Sequence, residues 1–128
     1  MRGLHAYSKI SQQTASPDRL MVMLFEATCR HLDAAATHLD AGDRKGALTP
    51  LTKAQDIVQE LLSTLNPQVN AALCEQLAQV YTFTLSRLVR ALSTGEAAAV
   101  REAHRVFSPV AQAFAQVVAT KDNPGRAA

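Results

Sequence analysis

The 128-residue sequence has few of the residues on which β-rich folds depend. It contains no tryptophan, four phenylalanines, two tyrosines, five glycines and five prolines. This is too little aromatic and turn-forming material for a sandwich or a barrel, which need many short strands joined by tight turns. Alanine and leucine are abundant instead, with 23 and 15 residues, and both are strong helix formers. We therefore expect an all-α protein.

Excess charge, apolar runs and clustered cysteines are also lacking, and each absence disfavours a class of function. Thirteen basic and eleven acidic residues give a net charge of +2, unlike the dense positive charge of nucleic-acid binders. Residues 1–10 lack the apolar core of a signal peptide, and no uncharged run long enough to cross a bilayer follows. Cys29 and Cys74 belong to no CxxC motif. We expect a cytoplasmic protein without nucleic-acid or membrane partners, whose cysteines are buried.

Capping residues mark the ends of four predicted helices. Ser16, Pro17 and Asp18 form a typical helix start, with a side-chain acceptor, a proline at the first position and an acid in the first turn. Gly42 suits the left-handed residue that ends a helix. The second helix has two candidate starts, because Pro50 would lie inside a helix that begins after Asp43, whereas Thr49-Pro50 would itself make a cap and first turn. The predicted boundaries are 17–41, 43 or 49 to 66, 68–93 and 96–120.

Apolar residues recur along these helices at the spacing of a stripe that faces partner helices. In the fourth helix the stripe follows heptad spacing and comprises Val100, Ala103, Phe107, Val110, Phe114 and Val117. Four helices of about 20–25 residues with short connections must run up and down. We predict an antiparallel up-and-down four-helix bundle over residues 16–120, preceded by a short amphipathic segment (1–15) and followed by a disordered tail (121–128).

The third helix carries more apolar surface than a bundle of four needs. Phe83 widens its apolar stripe on one side and Val89 widens it on the other, which leaves only about a third of the circumference polar. A helix of this kind borders a groove that a separate apolar segment fills. Leu4, Tyr7 and Ile10 recur every third residue, so the N-terminal segment is one plausible occupant. This pattern favours a binding module over an enzyme.

No catalytic or metal-binding pattern is present. Di-metal bundles need Glu-x-x-His motifs, and the sequence has none. His31 and His38 share one side of the first helix, as in a phosphotransfer module, but each is followed two positions later by an aspartate, which would repel phosphate. Serine, threonine and cysteine nucleophiles lack a recognisable base. We expect no catalytic residue, no metal and no cofactor.

Several segments resemble flagellar secretion chaperones of the FliS family. The similarity spans roughly residues 5–95 and includes Ala6-Tyr7, Thr14-Ala15-Ser16-Pro17, Leu20, Met23-Leu24-Phe25, Gly42-Asp43, the run Lys53-Ala54-Gln55-Asp56-Ile57-Val58-Gln59-Glu60-Leu61, and Leu77 to Tyr81 with Leu85 and Leu88. The Thr-Ala-Ser-Pro start and the Lys-Ala-Gln-x-Ile-Val-x-Glu-Leu run together are fairly specific.

The resemblance implies a cytoplasmic export chaperone that binds the disordered C-terminal segment of flagellin, prevents premature polymerisation and assists delivery to the flagellar type III export gate. In that family the N-terminal segment that holds the tyrosine is displaced by the client. The resemblance and the apolar stripes together give these candidate binding residues: Tyr7, Ile10, Leu51, Gln55, Val58, Leu62, Tyr81, Leu85 and Leu88.

Two other interpretations stay open at this point. In the first, the chain is a helical adaptor or antifactor that binds another amphipathic segment. In the second, which has less support, it is a histidine phosphotransfer bundle. Weak homodimerisation through the same apolar surface is a further expectation. The sequence does not choose between the two starts of the second helix.

Overall fold

Four α-helices make up the computed structural model, which describes residues 16–122. They are α1 (Pro17–Asp40), α2 (Arg44–Ser63), α3 (Ala71–Thr94) and α4 (Ala97–Asp122), and residues 16–122 contain no strand. Each helix packs along two neighbours, in the order α2, α1, α4, α3 and back to α2, and within residues 16–122 the backbones of diagonal helices do not pack against each other. The predicted all-α four-helix bundle is confirmed. No helix within residues 16–122 has the length and apolar character to cross a membrane.

The start of α1 is the one that the sequence predicts. Ser16 Oγ accepts a hydrogen bond from the Arg19 N–H at 3.2 Å, and Pro17 occupies the first helical position. Gly42 has a φ of 74°, the left-handed conformation that glycine adopts without steric penalty. Residues 1–15 and 123–128 lie outside the described part of the chain, so the predictions of an N-terminal segment and a disordered tail concern residues that the structure does not describe.

Asp43 settles which of the two candidate starts α2 uses. Its Oδ1 accepts the Gly46 N–H at 2.8 Å, and its Oδ2 lies 3.0 Å from His38 Nδ1, in the last turn of α1. A Cβ at residue 46 would collide with this carboxylate, so glycine is needed for the close approach. Pro50 lies inside α2 and is buried. The alternative start at Thr49 is therefore not used.

The connection between α2 and α3 is longer than predicted. α2 ends at Ser63 rather than 66, and α3 begins at Ala71 rather than 68. Asn66 Oδ1 accepts the Gln68 N–H at 3.1 Å, and Asn70 Oδ1 accepts the Leu73 N–H at 3.0 Å. These side chains satisfy backbone donors in a turn and a cap instead of a helix.

The C-terminal end of α4 also differs from the prediction. Lys121 and Asp122, predicted in the tail, are helical. Lys121 Nζ donates to Asp18 Oδ2 at 2.7 Å, which joins the end of α4 to the start of α1.

The stripe of α4 follows helical rather than heptad spacing. Val110 is half-buried and Val117 is 64% exposed, whereas Ala111 and Val118 are buried. A straight α-helix has 3.6 residues per turn, so an apolar repeat of seven residues drifts by about 20° per heptad. From Ala103 to Val117 the drift amounts to about 40°, which turns Val117 out to the surface while Val110 stays half-buried. The predicted Val117 is therefore wrong as a core position.

An aromatic cluster lies at the centre of the core. The ring of Phe25 is 5.2 Å from that of Phe114, 5.6 Å from that of Phe107 and 6.5 Å from that of Tyr81, between ring centroids. Rings at such distances and tilted angles interact favourably beyond the area that they bury. The cluster joins α1, α3 and α4 near the end of the bundle where α2 ends.

The two cysteines are only half-buried, contrary to the prediction that both are buried. Cys29 packs against the core from α1. Burial, followed by the charges of Asp33 and Glu26, raises the pKa of its thiol to about 11. A thiol that stays protonated at neutral pH is a weak nucleophile.

Removing a ring from the core is expected to destabilise the fold, and Phe83 provides a matched control. Phe107 is fully buried and contacts Phe25 and Tyr81, whereas Phe83 is 36% exposed. Phe107→Ala should lower the free energy of unfolding by about 3–5 kcal/mol, and Phe83→Ala by less than about 1 kcal/mol. Urea denaturation followed by circular dichroism measures both, and equal losses would contradict the assigned core.

The α2 cap predicts a dependence of stability on pH. The hydrogen bond from Gly46 and then that with His38 lower the pKa of Asp43. The charged carboxylate therefore stabilises the fold above its unfolded pKa of about 3.9, and this contribution is lost as the pH falls through the lower, folded value. Asp43→Asn keeps an N-cap acceptor but removes the charge. Its deficit in unfolding free energy against wild type should shrink on acidification, whereas a constant deficit would exclude this role.

Candidate binding groove between α2 and α3

The neighbouring helices α2 and α3 pack less extensively than any other neighbouring pair. Arg44, the first residue of α2, hydrogen-bonds the end of α3, which identifies the edge of α2 that faces α3. At 100° per residue the same edge continues through Leu48, Leu51, Gln55, Val58 and Leu62. Lys53 lies on the opposite edge, near His31 of α1. The predicted binding residues of α2 therefore do face α3.

The edge of α3 that faces α2 is identified in the same way. Arg87 Nη1 lies 3.3 Å from Glu102 Oε2, and this ion pair marks the edge that faces α4. Leu85, Val89 and Leu92 follow the other edge, towards α2. The paired edges of α2 and α3 define the surface that we call the α2–α3 groove.

The predicted binding residues fall into three groups. Four of them, Leu51, Val58, Tyr81 and Leu88, are at most 2% exposed and form the floor beneath the groove. Gln55, Leu62 and Leu85 are half-buried and form its walls. Tyr7 and Ile10 lie outside the described residues.

Sequence reasoning did not select the two most exposed apolar side chains of this groove. Leu48 on α2 is 50% exposed and Val89 on α3 is 54% exposed. Both flank the predicted apolar stripes, so periodicity placed them at the correct edges. The exposure of these two side chains depends on the distance between α2 and α3. The apolar pattern of a single helix gives no information about that distance.

An apolar cavity of about 270 Å³ opens at the end of the groove where α2 gives way to α3. It is lined by Met21, Phe25, Leu61, Thr64, Leu65, Asn66, Val69, Asn70, Leu73, Cys74, Leu77, Tyr81 and Phe114. The aromatic cluster therefore forms the inner wall of the cavity. Burial, with a smaller effect of Cys74, raises the pKa of Tyr81 to about 12, so its hydroxyl stays neutral and the cavity wall carries no charge from it.

The opposite edge of α3 is apolar as well. Phe83 is 36% exposed, and Val106 and Val117 of α4 are 37% and 64% exposed. Residues 106–120 of α4 contain no charged side chain. α3 thus has exposed apolar side chains on both of its edges, as its wide apolar stripe indicates. The most exposed apolar side chains of the described residues lie around α3 and the cavity.

The seam between α1 and α4 carries charged side chains, unlike the apolar α2–α3 groove. Two concavities of about 570 and 330 Å³ run along it and share His104 and Ser108. Charged side chains border them, with His104 Nε2 3.5 Å from Asp33 Oδ1 and Arg101 paired with Asp40. These concavities are larger than the apolar cavity but carry ion pairs, so they do not offer an uninterrupted apolar surface.

The surroundings of His31 and His38, the two histidines that suggested phosphotransfer, are typical of residues with a structural role. His38 pairs with the capping carboxylate of Asp43. Burial, followed by the charges of Lys53 and Arg30, lowers the pKa of His31. Within residues 16–122 no group of three or more His, Cys, Asp or Glu side chains is arranged to hold a metal ion.

Comparison with known proteins agrees with the family resemblance. The family model described as flagellar protein FliS matches residues 1–121. A flagellar secretion chaperone FliS of Bacillus subtilis (strain 168) is 30% identical over 122 residues, which cover 94% of this chain and 90% of the relative. The protein of the same name from Salmonella typhimurium is 28% identical over 120 residues, 90% of this chain and 89% of the relative.

A third protein with that name, from Escherichia coli (strain K12), is 25% identical over 118 residues, which cover 88% of this chain and 87% of the relative. The matches extend over all four helices and over both edges of the α2–α3 groove. The chain therefore belongs to the FliS family of flagellar secretion chaperones.

Proposed function

We propose that this chaperone binds the disordered C-terminal segment of flagellin in the α2–α3 groove, in the cytoplasm. The observation that carries the proposal is the pair of facing apolar edges, with Leu48 and Val89 half exposed above a buried floor. Contiguous exposed apolar surface of this kind marks a site for a partner. The cavity beside it offers room for an apolar side chain of the client.

Covering the polymerisation segment of the client is sufficient for the proposed activity. A disordered segment that folds on docking must bury on the order of 1,000–3,000 Å² to offset its ordering entropy. The groove, the cavity and the second apolar edge of α3 together provide an extended surface for such a segment. A client whose polymerisation segment is covered cannot add to a filament, so the step needs neither a nucleotide nor a metal, and the complex can then be delivered to the flagellar export gate.

The N-terminal segment is proposed as an internal competitor for the same surface. It joins α1 at Pro17, and Met21 and Phe25, which line the cavity, follow one and two turns later. Pro17 is seven positions after Ile10, and a fully extended chain of seven steps spans about 23 Å. Tyr7 and Ile10 are therefore close enough in sequence to reach the cavity, and a tethered segment competes at high effective concentration.

The direct test uses flagellin and a flagellin that lacks its C-terminal segment. Full-length chaperone should form a one-to-one complex with the first only, measured by isothermal titration calorimetry and size-exclusion chromatography. If neither flagellin binds, the adaptor interpretation with another amphipathic partner replaces the proposal. Equal binding of both flagellins would exclude the C-terminal segment as the recognised part.

Charge introduced on the walls is expected to abolish capture without unfolding the bundle. Leu48→Asp and Val89→Asp place a carboxylate on half-exposed positions of the two edges, and burying an unpaired charge against the client is unfavourable. Each should weaken flagellin binding at least about tenfold. Leu85→Asp tests a half-buried wall residue, but Val58 is fully buried, so Val58→Asp would report on folding.

Ser86→Asp is the matched control for these variants. Ser86 is exposed on α3, on the face that points away from the core, and the substitution adds the same charge to the same helix. Thermal denaturation confirms that each variant folds. Normal flagellin binding by folded Leu48→Asp and Val89→Asp would show that the client lies elsewhere.

Deletion of residues 1–11 distinguishes a competitor from a part of the receptor. A segment that only competes for the groove should leave flagellin affinity unchanged or raise it when removed. The association rate should also rise, which stopped-flow fluorescence measures. A loss of affinity would show that Tyr7 or Ile10 contacts the client.

A further inference from the structure

The α2–α3 seam differs from the opposite seam, between α1 and α4, in how polar side chains cross it. Three ion pairs cross the α1–α4 seam, formed by Asp18 with Lys121, Asp33 with His104 and Asp40 with Arg101. Arg87 and Glu102 cross the α3–α4 seam. In the described part of the chain, one side chain, Arg44, makes all the side-chain hydrogen bonds between α2 and α3.

Arg44 joins the first turn of α2 to the last turn of α3. Its Nη2 donates to the Leu92 carbonyl oxygen at 3.1 Å and to the Ser93 carbonyl oxygen at 3.2 Å. The last carbonyls of a helix have no partner within the helix, and a cation there also interacts favourably with the helix dipole. One guanidinium therefore satisfies two acceptors of α3 while it belongs to α2.

Gly95 makes room for this contact. Its φ of 74° ends α3 in the left-handed conformation. A Cβ at this position would lie 2.8 Å from Arg44 Nε and 2.9 Å from Arg44 Cδ, closer than packed carbon atoms approach. Glycine is thus required both for the backbone turn and for the approach of the arginine.

The two ends of the groove are consequently unlike. At one end the arginine holds α2 and α3 together, one helical turn from Leu48 and from Val89. At the other end the helices are separated by the turn of residues 64–70 and by the apolar cavity. No described hydrogen bond or ion pair joins α2 to α3 at that end.

We propose that Arg44 is a positioning residue that fixes the spacing of α2 and α3 at one end of the groove, so that the groove widens only from the end with the cavity. The proposal rests on the groove being the client site. When the spacing of α2 and α3 is already fixed, the groove loses less conformational freedom as a segment docks. The arginine acts through the helices, and no contact between it and the client is required.

Distances between spin labels test this proposal directly. One pair, at Thr52 and Ser86, reports on the Arg44 half of the groove, and a second pair, at Ser63 and Glu75, reports on the cavity end. All four positions are exposed. The labels are introduced in a full-length Cys29→Ala, Cys74→Ala background, and double electron–electron resonance gives both distance distributions with and without flagellin.

In the parent protein we expect flagellin to widen the 63–75 distance and to leave the 52–86 distance unchanged. Arg44→Ala should broaden the 52–86 distribution in the free protein and should weaken flagellin binding about tenfold, because a groove whose spacing is not fixed must be ordered when the segment docks. Arg44→Lys, which keeps a donor, should restore part of the affinity.

Lys45→Ala is the matched control, because Lys45 is the next residue, is exposed and carries the same charge. It should leave both distances and the affinity within about twofold of the parent, since surface charges outside special contacts contribute little. A 52–86 distribution that is identical in Arg44→Ala and the parent would overturn the proposal, and so would equal widening at both ends.

The free-protein distances separate this inference from the proposed function. If flagellin does not bind the parent, the proposed function fails, yet the comparison of Arg44→Ala with Lys45→Ala still decides whether Arg44 sets the spacing. If flagellin binds and the distances do not respond to Arg44→Ala, the function stands and the positioning role fails.

Discussion

The whole arrangement depends on a mismatch between the apolar surface of α3 and the helices available to cover it. Each helix in a square bundle has two neighbours, and the diagonal helix reaches it only through core side chains such as Phe25 and Tyr81, so it covers none of the outer edges. α3 carries apolar side chains over more of its circumference than α2 and α4 cover, which leaves Val89 on one edge and Phe83 on the other partly exposed. A fold with this surplus gains stability from a partner that covers it, and this gain is the physical basis of the proposed capture of a client segment.

The aromatic cluster connects the stability of the bundle to its binding surface. Phe25, Tyr81 and Phe114 belong to the core and also line the apolar cavity. A ring that packs on one side against the core and on the other against a cavity has a fixed position before any ligand arrives. The inner wall of the cavity is therefore preorganised, whereas its outer wall includes the exposed side chain of Val69.

Local chemistry explains which features were predictable from sequence. The start of α1 follows from Ser16, because a cap is formed by residues a few positions apart. Asp43 was one of two candidate starts of α2, and its contact with His38 of α1, which selects it, depends on the turn between the helices. The break near residue 66 was predicted, but the length of the turn of residues 64–70 was underestimated, because Asn66 and Asn70 bind backbone donors that a longer helix would otherwise use. Val117 was misplaced because a seven-residue repeat drifts from the helical period. The edges of the groove were predictable, but its floor and walls were not, since burial depends on the distance between two helices.

The distribution of polar links gives the bundle a direction in which it can yield. Ion pairs on exposed surfaces add little stability individually. The three pairs between α1 and α4 therefore contribute more to the alignment of these two helices than to the stability of the fold. Their counterpart between α2 and α3 is the single guanidinium of Arg44, which satisfies carbonyls that the end of α3 leaves without partners. A seam joined at one end and apolar at the other opens as a wedge rather than as two separating rods. The cavity end is therefore where we expect the seam to yield when an apolar segment docks.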